Sequence, residues 1–347
     1  MESQVTQNTF CTYTGPRSEA ETTVFFISGN PGLIGYYHPF LSLLAQNLSG
    51  PSAPNKTSYQ IYGCSLGGFE VNERTSSDDL WSQSASKNGA GEDPGLYDLE
   101  DQIRFVHQRL AAVMSDNSDT SDASNASTLR KRKVILIGHS VGAYIAMEVI
   151  RRHRVAGDVS DFDIVGGVML FPTVMDIAAS PSGQKLTSLL SFIPRLALVV
   201  SFFARLLTLI LPATALRSVV RFVMNDPPIH ALDTTCTFLQ SRGGVKQALH
   251  MAADEMRTIT SDKWTDDVWG VAHSRGPITK MFFYFGVNDH WVAEKTRDDI
   301  IAVRGEKDGL GPKMFVCEEG LPHAFCLKHS ETMARKVAGM IEDITSI

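Results

Sequence analysis

The chain has 347 residues, 43% of them hydrophobic and 20% charged, with a net charge of −6. That balance belongs to a folded globular protein and excludes a disordered one, and scattered basic residues on an acidic chain exclude nucleic acid as a partner. The length suits one large catalytic domain carrying an insertion, and on length alone also two small domains.

Five cysteines, Cys11, Cys64, Cys236, Cys317 and Cys326, are odd in number and widely spaced. Without a CxxC or Cys/His ligand pattern, neither a disulfide framework nor a zinc site is expected. The N-terminus, MESQVTQNTF, is polar and lacks the apolar run of a secretory signal. The sequence therefore reads as cytoplasmic and not secreted, with the sequons at Asn47, Asn55 and Asn125 unmodified.

Short apolar runs bounded by turn residues predict strands at 10–14, 23–27, 59–62, 133–137, 164–170, 281–285 and 314–317. Amphipathic stretches between them predict helices over 36–47, 96–114, 141–153 and 331–344. Segments 82–93 and 115–127, built from small polar residues, are expected to be loops. The basic run Arg130-Lys131-Arg132-Lys133 is expected on a solvated edge. The alternation predicts a mostly parallel central sheet flanked by helices, and the serine motif taken up below narrows this to an α/β-hydrolase fold. Residues 1–172 and 278–347 would form the core, and 173–277 an apolar helical cap insertion.

Two stretches fit the G-x-S-x-G pattern, and context separates them. Gly138-His139-Ser140-Val141-Gly142 has the apolar strand Val134-Ile135-Leu136-Ile137 before it and a good helix after it. Gly63-Cys64-Ser65-Leu66-Gly67 is followed by further turn residues, with no helical start. Ser140 is therefore the expected nucleophile, and Ser65 is expected in a loop beside it.

The acid should follow a late strand, and Asp289 lies in the loop after 281–285, with Asp176 as the competitor. The base should follow the last strand, which selects His323 over His290 and His329. The Val141 N–H supplies one oxyanion donor. Within Ser28-Gly29-Asn30-Pro31-Gly32, Pro31 has no N–H, so Asn30 is the second donor, with Gly32 behind it. Such an acyl transfer needs no metal and no organic cofactor.

These blocks resemble the lipid droplet-associated hydrolase family. The resemblance is carried by Ser28-Gly29-Asn30-Pro31-Gly32 with Tyr36-Tyr37 and Phe40, by Gly138 to Tyr144, by Leu170-Phe171-Pro172-Thr173 with Ser180-Pro181-Ser182-Gly183, and by Phe285 to Trp291 with Leu321-Pro322-His323-Ala324-Phe325. It implies Ser140 as nucleophile, Asp289 as acid and His323 as base, and it counts against Asp176. It also implies a small-molecule ester as partner. The leading expectation is an intracellular esterase of fusarinine-type siderophore ester bonds, the branch toward which the low-complexity loops lean; the alternative is a lipid droplet-associated hydrolase of sterol or neutral-lipid esters. A droplet surface protein with vestigial catalysis is the further alternative.

The stretch 186–211 is very apolar, and the 17 residues between Pro194 and Pro212 within it carry Arg195 and Arg205. A spanning helix needs about 20 apolar residues, and an arginine inside it costs about 2.5–3.5 kcal/mol, so a simple span is not expected. The stretch can cap an apolar pocket, or lie in a membrane or droplet surface with its arginines reaching the headgroups. The two roles are compatible.

Overall fold

The computed structural model describes residues 3–50, 57–71, 95–116, 131–157, 161–193, 195–271, 279–307 and 309–346. Segment 82–93, nearly all of 115–127, Asn55, Asn125 and Arg130 lie outside the described residues. Among those described, eight strands form one sheet: β1 (Gln4–Val5), β2 (Thr9–Tyr13), β3 (Ala20–Ile27), β4 (Ser58–Cys64), β5 (Arg132–His139), β6 (Phe162–Leu170), β7 (Lys280–Phe285) and β8 (Lys313–Val316). Their order is β1-β2-β4-β3-β5-β6-β7-β8. From β4 to β8 every pairing is parallel, and only β1 and β2 join antiparallel. This is the mostly parallel sheet of the α/β-hydrolase fold.

Val134 to Ile137 of β5 are fully buried because helices cover both faces of a parallel sheet, which is why the strand reads as an unbroken apolar run. Strand alternation sorts the core into two halves. Phe25 and Ile27 of β3 face α2 (Leu99–Asp116) and α3 (Val141–Ala156), whereas Val24 and Phe26 face α1 (His38–Leu48) and the last helix, Ser330–Thr345.

Departures from expectation are local. The predicted helix 36–47 opens with a 3-10 turn, Ile34–Tyr37, before α1. Ser115 and Asp116, expected in a loop, end α2.

Between β6 and β7 the described chain is helical: α4 (Pro181–Phe192), α5 (Leu196–Ile210), α6 (Ala213–Val223), α7 (Ile229–Gln240) and α8 (Gly244–Thr258). Helix α4 starts where it does because Ser180 Oγ accepts the Gly183 N–H at 3.0 Å and Pro181 occupies the first turn. Beyond α8, the Trp264 indole N–H donates to buried Glu148 of α3 at 2.8 Å, pinning the end of the insertion to the core. The remaining helices are α9 (Glu294–Arg304), α10 (Phe325–Lys328) and α11 (Ser330–Thr345).

Candidate active site

Strand β5 ends at His139, Ser140 takes φ 56° and ψ −125°, and α3 begins at Val141. A non-glycine residue at positive φ is strained, and the surrounding chain holds it there by close approach. A Cβ on Gly138 would lie 2.4 Å from the Gly142 carbonyl oxygen, and one on Gly142 would lie 2.3 Å from that of Ile27. Gly29 approaches the same turn, where a Cβ would meet Ser140 Cβ at 3.0 Å. The glycines of the motif are therefore demanded by space at the turn.

The three residues expected to cooperate form one hydrogen-bonded line. Ser140 Oγ lies 2.9 Å from His323 Nε2, and His323 Nδ1 lies 2.9 and 2.8 Å from the two carboxylate oxygens of Asp289. A carboxylate only accepts, so Nδ1 carries the proton and Nε2 is left to accept from the serine hydroxyl. Asp289 is buried after β7, and its Oδ1 also accepts the Trp291 N–H at 2.8 Å. His323 comes from the loop between β8 and α10.

The competitors are placed elsewhere. Ser65 is buried directly after β4, where its hydroxyl accepts the Ile34 N–H at 3.2 Å. Asp176 and His290 are exposed, and His329 is the residue before α11. Gly32 packs against Leu66, whose N–H donates to the Gly32 carbonyl.

Asn30 shows its side chain and its backbone in different roles. The carboxamide Nδ2 donates to the Ala248 carbonyl at 3.0 Å and to Glu255 Oε1 at 2.9 Å, both on α8. Among the described residues the Asn30 backbone N–H meets no acceptor. Val141, as the first residue of α3, has no intrahelical acceptor for its N–H.

A second network was not anticipated. His139 is buried, with Nε2 2.9 Å from the His323 carbonyl oxygen and Nδ1 2.8 Å from the Tyr37 hydroxyl. The carbonyl can only accept, so Nε2 carries the hydrogen and Nδ1 accepts from Tyr37. The Tyr37 oxygen in turn accepts the Gly29 N–H at 3.3 Å. Burial, and next the neighbouring His323, hold the His139 pKa well below the usual imidazole range, which keeps the ring neutral as this chain requires. One directional line thus ties the Gly29 loop, the serine turn and the histidine loop together. Tyr37→Phe should lower kcat by about tenfold with little change in KM, because it leaves one buried donor and one buried acceptor unpaired at a cost of about 1–3 kcal/mol. Steady-state kinetics beside the unsubstituted chain checks this.

Ser140 opens onto a pocket of about 430 Å³. Its walls are mostly apolar, including Ile177, Leu186, Met224, Leu249 and Trp291, with Asn30 and Glu255 at a polar end. Around the histidines the packing is aromatic, with Phe171 and Phe325 beside His139 and Phe171 beside His323.

A serine held on a strand-to-helix turn of a parallel sheet, in line with a histidine and an aspartate from later loops, places this chain among the α/β hydrolases. Comparison with solved structures agrees on the fold. A peroxisomal alpha-beta-hydrolase of Saccharomyces cerevisiae superposes with a TM-score of 0.55 at 13% identity, covering 99% of this chain and 87% of that one. The family model described as "Lipid-droplet associated hydrolase" matches residues 20–326, and the chain belongs to that family. Similar relatives include the lipid droplet-associated hydrolase of Gallus gallus, 27% identical with 91% of this chain and 83% of that protein covered. The Mus musculus protein of the same name is also 27% identical, with 94% and 86% covered.

Proposed function

We propose that this chain is a serine carboxylic ester hydrolase that acts on lipid-like esters at a lipid surface. The observation that carries the catalytic part is the unbroken line from Ser140 Oγ through His323 to Asp289. In that reading His323 Nε2 takes the hydroxyl proton as Ser140 Oγ attacks the ester carbonyl. Asp289 holds the tautomer and stabilises the imidazolium that forms. The N–H groups of Val141 and Asn30 receive the oxyanion, aided by the positive end of α3. The imidazolium then protonates the departing alkoxide. Water, activated by the same histidine, releases the acyl group from Ser140.

The lipid part rests on the apolar pocket and on the surface beside it. Phe192, Phe202, Phe203, Leu209, Ile210, Phe222 and Val223 are each more than 60% exposed. Leu186 and Met224, from the same stretch, line the pocket, so the apolar face adjoins the way in. So many exposed large apolar side chains on three successive helices mark a contact with another apolar phase. Among the described residues no single helix is long and apolar enough to cross a membrane; α4 and α5 reach that length together but bend by 94°. The face therefore suits lying in a surface, with the exposed Arg205 at the headgroups. Relatives named for lipid droplets support a droplet as that surface. Replacing Phe202 and Phe203 together by Ser should weaken droplet binding by about tenfold or more, from the apolar area lost. Flotation with artificial droplets measures this, and hydrolysis of a soluble short-chain ester should stay unchanged.

The test of the whole reading is a fluorophosphonate probe followed by a substrate panel. The probe should label Ser140, and Ser140→Ala should not be labelled. Triacylglycerol and cholesteryl esters should then be cleaved in preference to a fusarinine-type ester. Preference for the last would move the assignment to a siderophore esterase. A folded wild-type chain that takes no label would leave only a surface role for the fold.

A further inference from the structure

We propose that Glu255 is a positioning residue of the oxyanion loop, holding the Asn30 carboxamide against α8. The proposal rests on the hydrolase reading, because Asn30 matters only if its N–H receives an oxyanion. It starts from a geometry that sequence could not suggest. Glu255 lies in α8 of the insertion, and Asn30 lies 225 positions earlier, in the loop after β3.

The Asn30 amide spans two turns of α8, with Nδ2 donating to the Ala248 carbonyl and to Glu255 Oε1. Its orientation is unambiguous, because the Ala248 oxygen only accepts and must face nitrogen. Both Nδ2 hydrogens are then used, and the side chain is clamped at two points. The backbone N–H of the same residue meets no acceptor among the described residues, and Asn30 and Ser140 line one pocket. Removing the Glu255 carbonyl oxygen frees one arm of that clamp.

The charge state follows from the surroundings. Glu255 is 4% exposed, and among the described residues no cation pairs with it. Charged groups on the neighbouring elements are committed elsewhere. Lys185 of α4, Arg205 of α5 and Asp176 are exposed. Asp101 of α2 pairs with Arg104, Asp233 of α7 with Arg217, and Asp254 accepts the Leu99 N–H. Across the pocket stand His139, Ser140 and His323, together with Tyr36, Tyr37 and Cys326, all on the core side. Burial pushes the Glu255 carboxyl up to about 8, against the opposing hydrogen bond from Asn30 and with a smaller upward push from Asp254. The acid is therefore neutral at pH 7 and ionises above pH 8. A carboxylate formed there would put negative charge in a low-dielectric pocket where the reaction also develops an oxyanion. Turnover should be complete below that pH and fall as pH rises through it.

The experiment is the pH profile of kcat and KM from 6.5 to 9.5 on p-nitrophenyl butyrate, for the full chain and for Glu255→Gln and Glu255→Ala. Wild-type kcat should fall by about tenfold per unit above pH 8, as for loss of one required proton. Glu255→Gln keeps a neutral acceptor for Asn30, so it should lack the alkaline fall and stay within about threefold of wild type at pH 7. Glu255→Ala should lose about tenfold or more in kcat at little changed KM, a fraction of the 10²–10³ of a deleted oxyanion donor. Fluorophosphonate labelling and melting curves confirm that each variant is folded around Ser140. The idea is overturned if Glu255→Gln shares the wild-type alkaline limb, or is as slow at pH 7 as Glu255→Ala. A wild-type chain that neither hydrolyses nor labels removes the hydrolase reading, and this one with it.

Discussion

Ser140→Ala should lower the turnover of a cleavable ester by about 10⁶-fold, the scale on which a nucleophilic serine acts together with its base. The hydroxyl sits 2.9 Å from the unprotonated nitrogen of His323, and among the described residues no other hydroxyl bonds to it. Ser65, the second serine in a G-x-S-x-G context, is buried and already accepts from Ile34, so it cannot substitute. The fold should be preserved. Alanine and serine both carry a Cβ, so the strain at φ 56° is the same in either, and the glycines that make room are untouched. Substrate affinity should also change little, because most of the pocket lining is apolar and is left untouched by the substitution. Initial rates with purified protein give the magnitude, and a melting temperature near wild type separates lost chemistry from lost structure. A residual above about 1% of wild-type rate would mean that another group attacks.

The site was legible in sequence wherever position in the chain encodes position in space. In a parallel sheet the loops after successive strands gather at one edge, so residues that follow β5, β7 and β8 are neighbours despite their separation. That rule, with the buried strand before the serine and the helix after it, singles out Ser140, Asp289 and His323, which lie within hydrogen-bonding distance of one another in line. The partners that hold them escape it. His139 is the variable position of a G-x-S-x-G pattern, and Tyr37 is one of two adjacent tyrosines; nothing in spacing says that they bond across 102 positions. Glu255 sits in a run, Ala-Asp-Glu-Met-Arg, that reads as the solvated face of an amphipathic helix. It is buried and bonds to the Asn30 loop, a tertiary contact with no local signature. Helix α9 was overlooked for the opposite reason. It is mostly charged, with only Thr296 and Ile300 buried, so its apolar periodicity is nearly absent.

Asp289→Asn should cost about 10⁴-fold in kcat and leave KM nearly unchanged, because it alters which nitrogen of His323 holds the proton. The wild-type carboxylate accepts Nδ1–H through both oxygens, at 2.9 and 2.8 Å, and Oδ1 also accepts the Trp291 N–H. An amide in its place must keep its oxygen toward Trp291, since a backbone N–H needs an acceptor. That sets the amide NH₂ where Oδ2 was, 2.8 Å from Nδ1. A donor there favours an unprotonated Nδ1 and drives the hydrogen to Nε2, the atom that must accept from Ser140. The negative charge that would stabilise the imidazolium is lost as well. Volume is conserved, so the buried site should keep its packing. Fluorophosphonate labelling should slow with turnover, since both need an activated Ser140. Asp176→Asn is the control; that side chain is exposed and bonds to neither histidine nor serine, so its rate should match wild type. A loss of less than about tenfold in Asp289→Asn would mean that the aspartate serves packing at this turn and that His323 is oriented by the Phe171 and His139 contacts around it.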